Sequence, residues 1–124
     1  MIFSLNNQVN MNLSMSDFAA SVYAKVSQIP KGQISTYKQV ALAIGKPNAS
    51  RAVGQALAKN PYAPTVPCHR VVSTSGRVKG FFGSTESESV NKKISLLQSE
   101  GVPISNDGII TKHDLQRLVF SSFK

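Results

Sequence analysis

The sequence predicts a mainly α-helical fold with short β hairpins, of winged-helix-like, helix-turn-helix type. Three observations predict it. Apolar residues recur at helical spacing in four separate stretches. Two of those stretches, residues 35–45 and 49–60, are parted only by the turn Lys46-Pro47-Asn48. After Pro61 the period changes to β-branched runs around Ser-Gly and Asp-Gly turns.

The first helix lies in "SDFAASVYAKVSQ", where Phe18, Val22 and Val26 stand four apart and Ser16 is the cap. "IPKG" ends it, because the residue before a proline avoids helical angles. The second helix lies in "STYKQVALAIG". Ser35 or Thr36 can cap it, Val40, Ala41 and Ile44 face inward, and Gly45 stops it. The third, "ASRAVGQALAKN", turns Ala49, Val53, Ala56 and Leu57 to the core and ends at Asn60-Pro61. "TVPCHRVVSTSGRVKG" then reads as a short hairpin, and "GFFGSTES" as a glycine-bounded aromatic loop. A fourth helix spans "SESVNKKISLLQSEG", with Val90, Ile94 and Leu97 on one face and Gly101 as its stop. "PISNDGIIT" is a second small hairpin and "DLQRLVFSSF" a terminal helix turn. Residues 1–13 carry no period and read as a flexible arm, which leaves residues 14–124 as one domain.

A chain of 124 residues with 41% hydrophobic content can bury a core without disulfide staples. Its single cysteine can form neither an internal disulfide nor a zinc site of several thiolates, which points to a reducing, intracellular compartment. Apolar runs such as "VALAIG" are too short for a bilayer, and the start lacks the features of a secretion signal. No membrane partner is expected.

Net charge is +8, and its distribution is uneven. Nine cations and no carboxylate lie between Phe18 and Thr85, while five of the six acids fall from Glu86 onward. Such a segment suits a polyanion, since each neutralised phosphate releases counterions. The third helix displays Ser50, Arg51, Gln55 and Lys59 to solvent with no acid among them. Gly54 within that helix costs about 1 kcal/mol relative to alanine and suits close backbone approach, either of another helix or of a sugar-phosphate chain. A DNA-binding helix-turn-helix fits these features; a plain helical hairpin with a basic surface is the alternative.

The only thiol stands in "TVPCHRVV". Cys68 fits a buried core position on composition alone. It also has His69 and Arg70 beside it, and cations or imidazole are what make a thiol reactive. Neighbours on a strand point to opposite faces, so a turn at Pro67 is needed to bring both inward. A carboxylate behind His69 would fix its tautomer, and Glu100 is the candidate. Cys68, His69 and the distant His113 lack metal-ligand spacing, so no metal is expected.

"PCHRVV", with "ISTYKQVA" and "RAVGQALAKNP" before it and "STSGRVKGF" after it, closely resembles the active-site domain of the alkylguanine-DNA alkyltransferases. The likeness runs over about residues 16–101. It implies that Cys68 accepts an alkyl group, that His69 acts as its base through a water, and that Glu100 orients His69. It implies that Asn60 joins the helix-turn-helix to the active-site turn, that Arg51 fills the gap left by a flipped nucleotide, and that Tyr37, beside Thr36, turns its phosphate. Small Ala52 and Gly54 suit a recognition helix in the minor groove. Val66, Pro67, Val72 and the backbone at Gly80 and Phe81 would line or lid the base pocket. The implied partner is duplex DNA containing alkylated guanine, bound by a monomer without cofactor, in the nucleus of a eukaryote or the cytoplasm of a prokaryote.

Members of the repairing type usually carry a further amino-terminal domain, and only a short arm stands in its place here. That architecture is similar to the alkyltransferase-like proteins, which bind alkylated guanine without repairing it and carry tryptophan or another residue in place of the cysteine. Cys68, His69 and Glu100 favour transfer; lesion binding alone is the alternative. The segment "GFFGSTESES" is longer and more polar than the usual lid of the family.

Overall fold

The computed structural model describes residues 16–78 and 87–124. The expected arm at 1–13 and the pocket positions Gly80 and Phe81 lie outside the described residues. The elements are α1 (Asp17–Val26), β1 (Ser35–Thr36), α2 (Tyr37–Ala43), α3 (Ser50–Ala58), a 3-10 turn (Cys68–Arg70), β2 (Val71–Val72), α4 (Ser87–Ser99) and α5 (Lys112–Leu118).

Helix α1 begins where the sequence places its cap: the Ala19 amide donates to Ser16 Oγ at 3.1 Å. Of the two candidate caps for α2, Thr36 serves, with its Oγ1 accepting from the Gln39 amide at 3.0 Å. The Ser35 hydroxyl instead donates to the Phe120 carbonyl at 2.8 Å. Helix α3 has no side-chain cap at Ala49, and its stability rests on the face carrying Val53 and Leu57, both buried. Helices α1, α2 and α3 pack on one another. Their shared core holds Val22, Tyr23, Val26, Val40, Val53 and Leu57, with Cys68 and Val71 closing it from below.

The sheet corrects the expected hairpins. Among the described residues the named strands form one two-stranded parallel pair, Ser35 against Val71 and Thr36 against Val72. The Ser-Gly turn does form, with the Gly76 amide on the Ser73 carbonyl. The chain beyond it does not fold back on Val71–Val72. Arg77 bridges Ile109 in antiparallel sense, and the Val78 amide reaches the Gly108 carbonyl at 2.7 Å. The Asp107-Gly108 turn also forms, and its return limb pairs with Arg77. The reason lies in burial: Val71 and Val72 are both buried, and a strand covered on both faces is suited to parallel pairing inside the molecule. Strand alternation then divides the core, since Val71 enters the cluster of α1–α3 while Val72 joins Ile34, Ile94, Leu97 and Ile110 in a second one.

The tail also departs from the sequence reading. Helix α5 starts earlier, capped by Thr111, and stops at Leu118. Val119 then bridges Ile34 in parallel, and the Phe120 amide donates to the Ile34 carbonyl at 2.6 Å. The tail thereby extends the β1 edge, and Phe120 and Phe123 cover the first cluster.

Gly76 marks the tightest approach between the two turns. It sits at φ +79°, and a Cβ there would overlap the Ile110 carbonyl. Gly76→Ala is therefore expected to lower the unfolding free energy by about 2 kcal/mol or more, combining left-handed strain with displacement of Ile110. Urea denaturation checks this, and an unchanged midpoint would refute the packing described.

Candidate functional site

The site is assembled by the stretch from the end of α3 to Arg70. Beyond that helix, Asn60 bridges the loop: its Oδ1 accepts from the Tyr62 amide at 2.9 Å and its Nδ2 donates to the Val66 carbonyl at 2.9 Å. The same carbonyl accepts the Cys68 amide at 2.8 Å. Pro67, at φ −81° and ψ 68°, is thus the centre of an inverse γ-turn. One asparagine side chain fixes the entry to the turn that carries the thiol. The sequence expectation of a bend at Pro67 is met in this form.

The 3-10 turn then sends three consecutive side chains in three directions. Cys68 is 4% exposed and belongs to the first cluster. His69, also buried, meets Glu100, with Nε2 3.0 Å from Oε2. Arg70 grips the same carboxylate with Nε on Oε1 at 2.9 Å and Nη2 on Oε2 at 2.7 Å, while Nη1 donates to the Ile29 carbonyl at 2.8 Å.

Glu100 is held for this by the end of α4. The Gly101 amide bonds the Gln98 carbonyl and the Val102 amide the Leu97 carbonyl, a Schellman ending with Gly101 at φ +87°. Helix α4 packs on the 3-10 turn. Seven residues before Glu100, on the same helical face, stands Lys93. It is 1% exposed, donates to the Val71 carbonyl at 2.8 Å and lies 3.5 Å from the Tyr37 hydroxyl. Its ammonium also sits over the Tyr37 ring, 5.8 Å from the centroid.

Protonation states follow from these contacts. The Arg70 hydrogen bonds, with help from His69 and against the cost of burial, bring Glu100 down to about 2, so it is an anion at neutral pH. Burial lowers His69 below its usual value, and the nearby Glu100 only partly offsets this. The imidazole is therefore neutral at pH 7, and its contact with Glu100 is a hydrogen bond to a carboxylate from a neutral ring. An ionised carboxylate accepts only, so Nε2 carries the proton and Nδ1 the lone pair. Burial, and then negative charge at Cys68, push Tyr37 up to about 12, which keeps its phenol protonated.

The predicted residues divide into those drawn together and those set apart. Cys68, His69, Glu100 and Asn60 converge, and Val66 and Pro67 are buried beside them. Val72 points into the other cluster, and it is Val71 that shares the core with Cys68. Thr36 is buried with its hydroxyl engaged as a cap. On α3, Arg51 and Gln55 are exposed four residues apart, and exposed Lys59 at its C-cap continues the row. Ser50 and Ala52 are half-buried, and Gly54 is buried with Val53. A groove of about 450 Å³ runs between α1 and α3, lined by Phe18, Ala52, Gln55, Lys59 and Tyr62 among others, with neither Cys68 nor His69 in its wall. Among the described residues no cluster of three His, Cys, Asp or Glu side chains could hold a metal.

Sequence reasoning missed Lys93, and it set Arg70 beside the thiol without seeing that Glu100 is its partner. Nothing local pairs Arg70 with a carboxylate thirty residues away. Lys93 did leave a signal: it occupies a position within the stripe Val90, Ile94, Leu97, where a charge facing inward needs a reason.

The carboxylate links stability to pH. A glutamate depressed in the fold stabilises fully above its unfolded value near 4.5, and loses this as pH falls toward 2. The difference in unfolding free energy between wild type and Glu100→Gln is expected to shrink by roughly 2 kcal/mol from pH 6 to pH 2.5. His69, lowered by burial, adds a loss that begins below pH 6.5 in both proteins. A pH-independent difference, measured by denaturant titration at each pH, would contradict the assignment.

Comparison with known proteins places this geometry. The Mycobacterium tuberculosis protein named methylated-DNA–protein-cysteine methyltransferase is 40% identical over 92 residues, which are 74% of this chain and 53% of that one. The crystal structure of Mycobacterium tuberculosis OGT in complex with DNA superposes with a TM-score of 0.63 at 41% identity, covering 69% of this chain and 49% of that chain. The structure of S. pombe Atl1 in complex with damaged DNA containing O6-carboxymethylguanine gives a TM-score of 0.70 at 28% identity, covering 87% of this chain and 98% of that chain. The chain spans about half the length of the curated relatives it matches. Residues 17–102, which contain Tyr37, the whole of α3, the Cys68 turn and Glu100, match the family described as 6-O-methylguanine DNA methyltransferase, DNA binding domain, and the chain belongs to that family.

Proposed function

We propose that this protein binds duplex DNA containing O6-alkylated guanine and takes the alkyl group onto Cys68 in a single, irreversible turnover. The observation that carries the reading is the chain of contacts behind the thiol. Arg70 holds Glu100 ionised, Glu100 takes the Nε2 proton of His69 in a hydrogen bond, and His69 keeps a basic Nδ1 on the residue next to the sulfur. Through one water, Nδ1 accepts the thiol proton. The sulfur lone pair then forms a bond to the alkyl carbon, the carbon–oxygen bond breaks, and its electrons leave on the guanine oxygen. The Tyr37 phenol, held protonated, can donate a hydrogen bond to the departing base, and the proton taken up by His69 passes back through water to neutralise that base. A thioether has no leaving group for water to displace, so each molecule acts once.

An alkylated guanine pairs poorly, which lowers the cost of turning it out of the stack. The exposed Arg51, Gln55 and Lys59 of α3 face a phosphate backbone in this reading, with Arg51 entering the vacated space. In this reading the protein works as a monomer inside the cell. Among the described residues no helix is long and apolar enough to cross a membrane.

A second reading, lesion binding without transfer, is favoured by one observation: 87% of this chain superposes on S. pombe Atl1 held on damaged DNA, with a TM-score of 0.70. Intact-protein mass spectrometry after incubation with an O6-methylguanine duplex separates the two. Transfer predicts one added methyl per molecule, mapped to Cys68 and absent from Cys68→Ser. Bound DNA with no mass change would reject transfer and leave lesion binding.

A further inference from the structure

We propose that Lys93 is the positive charge that balances the Cys68 thiolate, separate from His69, which only carries the proton away. This inference deepens the alkyl-transfer reading and concerns the same sulfur. A buried thiolate needs a cation near it, or burial returns the proton. The geometry shows why imidazolium is poorly placed to be that cation. Glu100 is already gripped at both oxygens by Arg70, and burial beside that guanidinium disfavours charging His69 by more than the carboxylate favours it. Arg70 in turn is committed to Glu100 and to the Ile29 carbonyl.

Lys93 approaches from the same face of α4, two turns before Glu100. Helix α4 lies against the 3-10 turn, and Lys93 reaches over it to the Val71 carbonyl, three residues from the sulfur, and to Tyr37. Lys93 bonds the Val71 carbonyl and lies by the Tyr37 hydroxyl, and Val71 and Tyr37 share the first cluster with Cys68; charge at Cys68 bears on Lys93 and also on the phenols of Tyr23 and Tyr37, which pack there too. The two phenols can donate hydrogen bonds but carry no positive charge. Lys93 alone of the three can neutralise an anion, and a negative sulfur favours its charged form, which burial otherwise brings down to about 8. The arrangement is a pair of mutually dependent charges under one helix. Lysine also suits the task better than arginine here, because it is a compact point charge on a flexible stem.

The two titrations must be coupled in both directions. The ultraviolet absorbance of the thiolate reports the single cysteine once the matching Cys68→Ser spectrum is subtracted. Lys93→Met, which fills similar volume, is expected to move the thiolate midpoint up by about one pH unit or more, with Lys93→Arg moving it less. An unchanged midpoint in folded Lys93→Met would overturn the proposal. If Lys93→Met does not fold, the reciprocal measurement decides: the side-chain nitrogen of Lys93, followed by NMR, is expected to lose its proton at lower pH in Cys68→Ser than in wild type. Equal lysine midpoints in the two proteins would equally overturn it. Neither measurement uses DNA, so the role of Lys93 is tested independently even in a chain that fails to transfer methyl.

Discussion

The fold converges on the carboxylate of Glu100. It accepts two hydrogen bonds from Arg70 and one from His69, and Arg70 extends the grip to the Ile29 carbonyl. The Gly32 backbone lies against the main chain of the same residue, where an added Cβ would come within 3.3 Å of the Glu100 carbonyl oxygen. Three segments far apart in sequence are thus joined: the connection after α1, the Cys68 turn and the end of α4. A partly buried ion pair of this kind contributes less by attraction than it would cost if broken, because the remaining charge would be left without a partner. Its value here is directional. It forces one tautomer on His69 and one orientation on the turn.

Around that centre the work is divided among residues whose placement depends on backbone geometry. Asn60 links the end of α3 to the carbonyl of Val66, and through it to the amide of Cys68. The end of α3 is therefore tied to the thiol through two hydrogen bonds and an inverse γ-turn. On the proposed reading this couples the helix that meets DNA to the group that reacts. Helix α4 supplies the opposite wall, with Lys93 and Glu100 two turns apart on one face and Ile94 and Leu97 anchoring the helix in the second cluster.

What was legible in the sequence was local. Ser16 and Gly101 announced helix ends because capping needs only neighbours, and the stripes Val22–Val26 and Ile94–Leu97 gave the buried faces. Cys68, His69 and Glu100 were found because residue type and motif carry them. The sheet was misread because a Ser-Gly turn is a local signal, whereas the partner of Val71 lies 36 residues earlier at Ser35. The sequence named Val72 and left Val71 unplaced; alternation tells that two neighbours part, and only the fold shows that Val71 joins Cys68 and Val72 the second cluster. Arg70 and the tail strand at Val119 were hidden for the same reason: their partners are chosen by tertiary packing.

The central claim is that burial keeps the His69 ring neutral while Glu100 holds its proton on Nε2. Nitrogen-15 NMR of the imidazole measures this directly in the folded protein. At pH 7 the two ring nitrogens should give the pattern of the Nε2-protonated neutral tautomer, and the ring should charge only below its usual value near 6.5. A proton on Nδ1, or a ring that is charged at pH 7, would contradict the account.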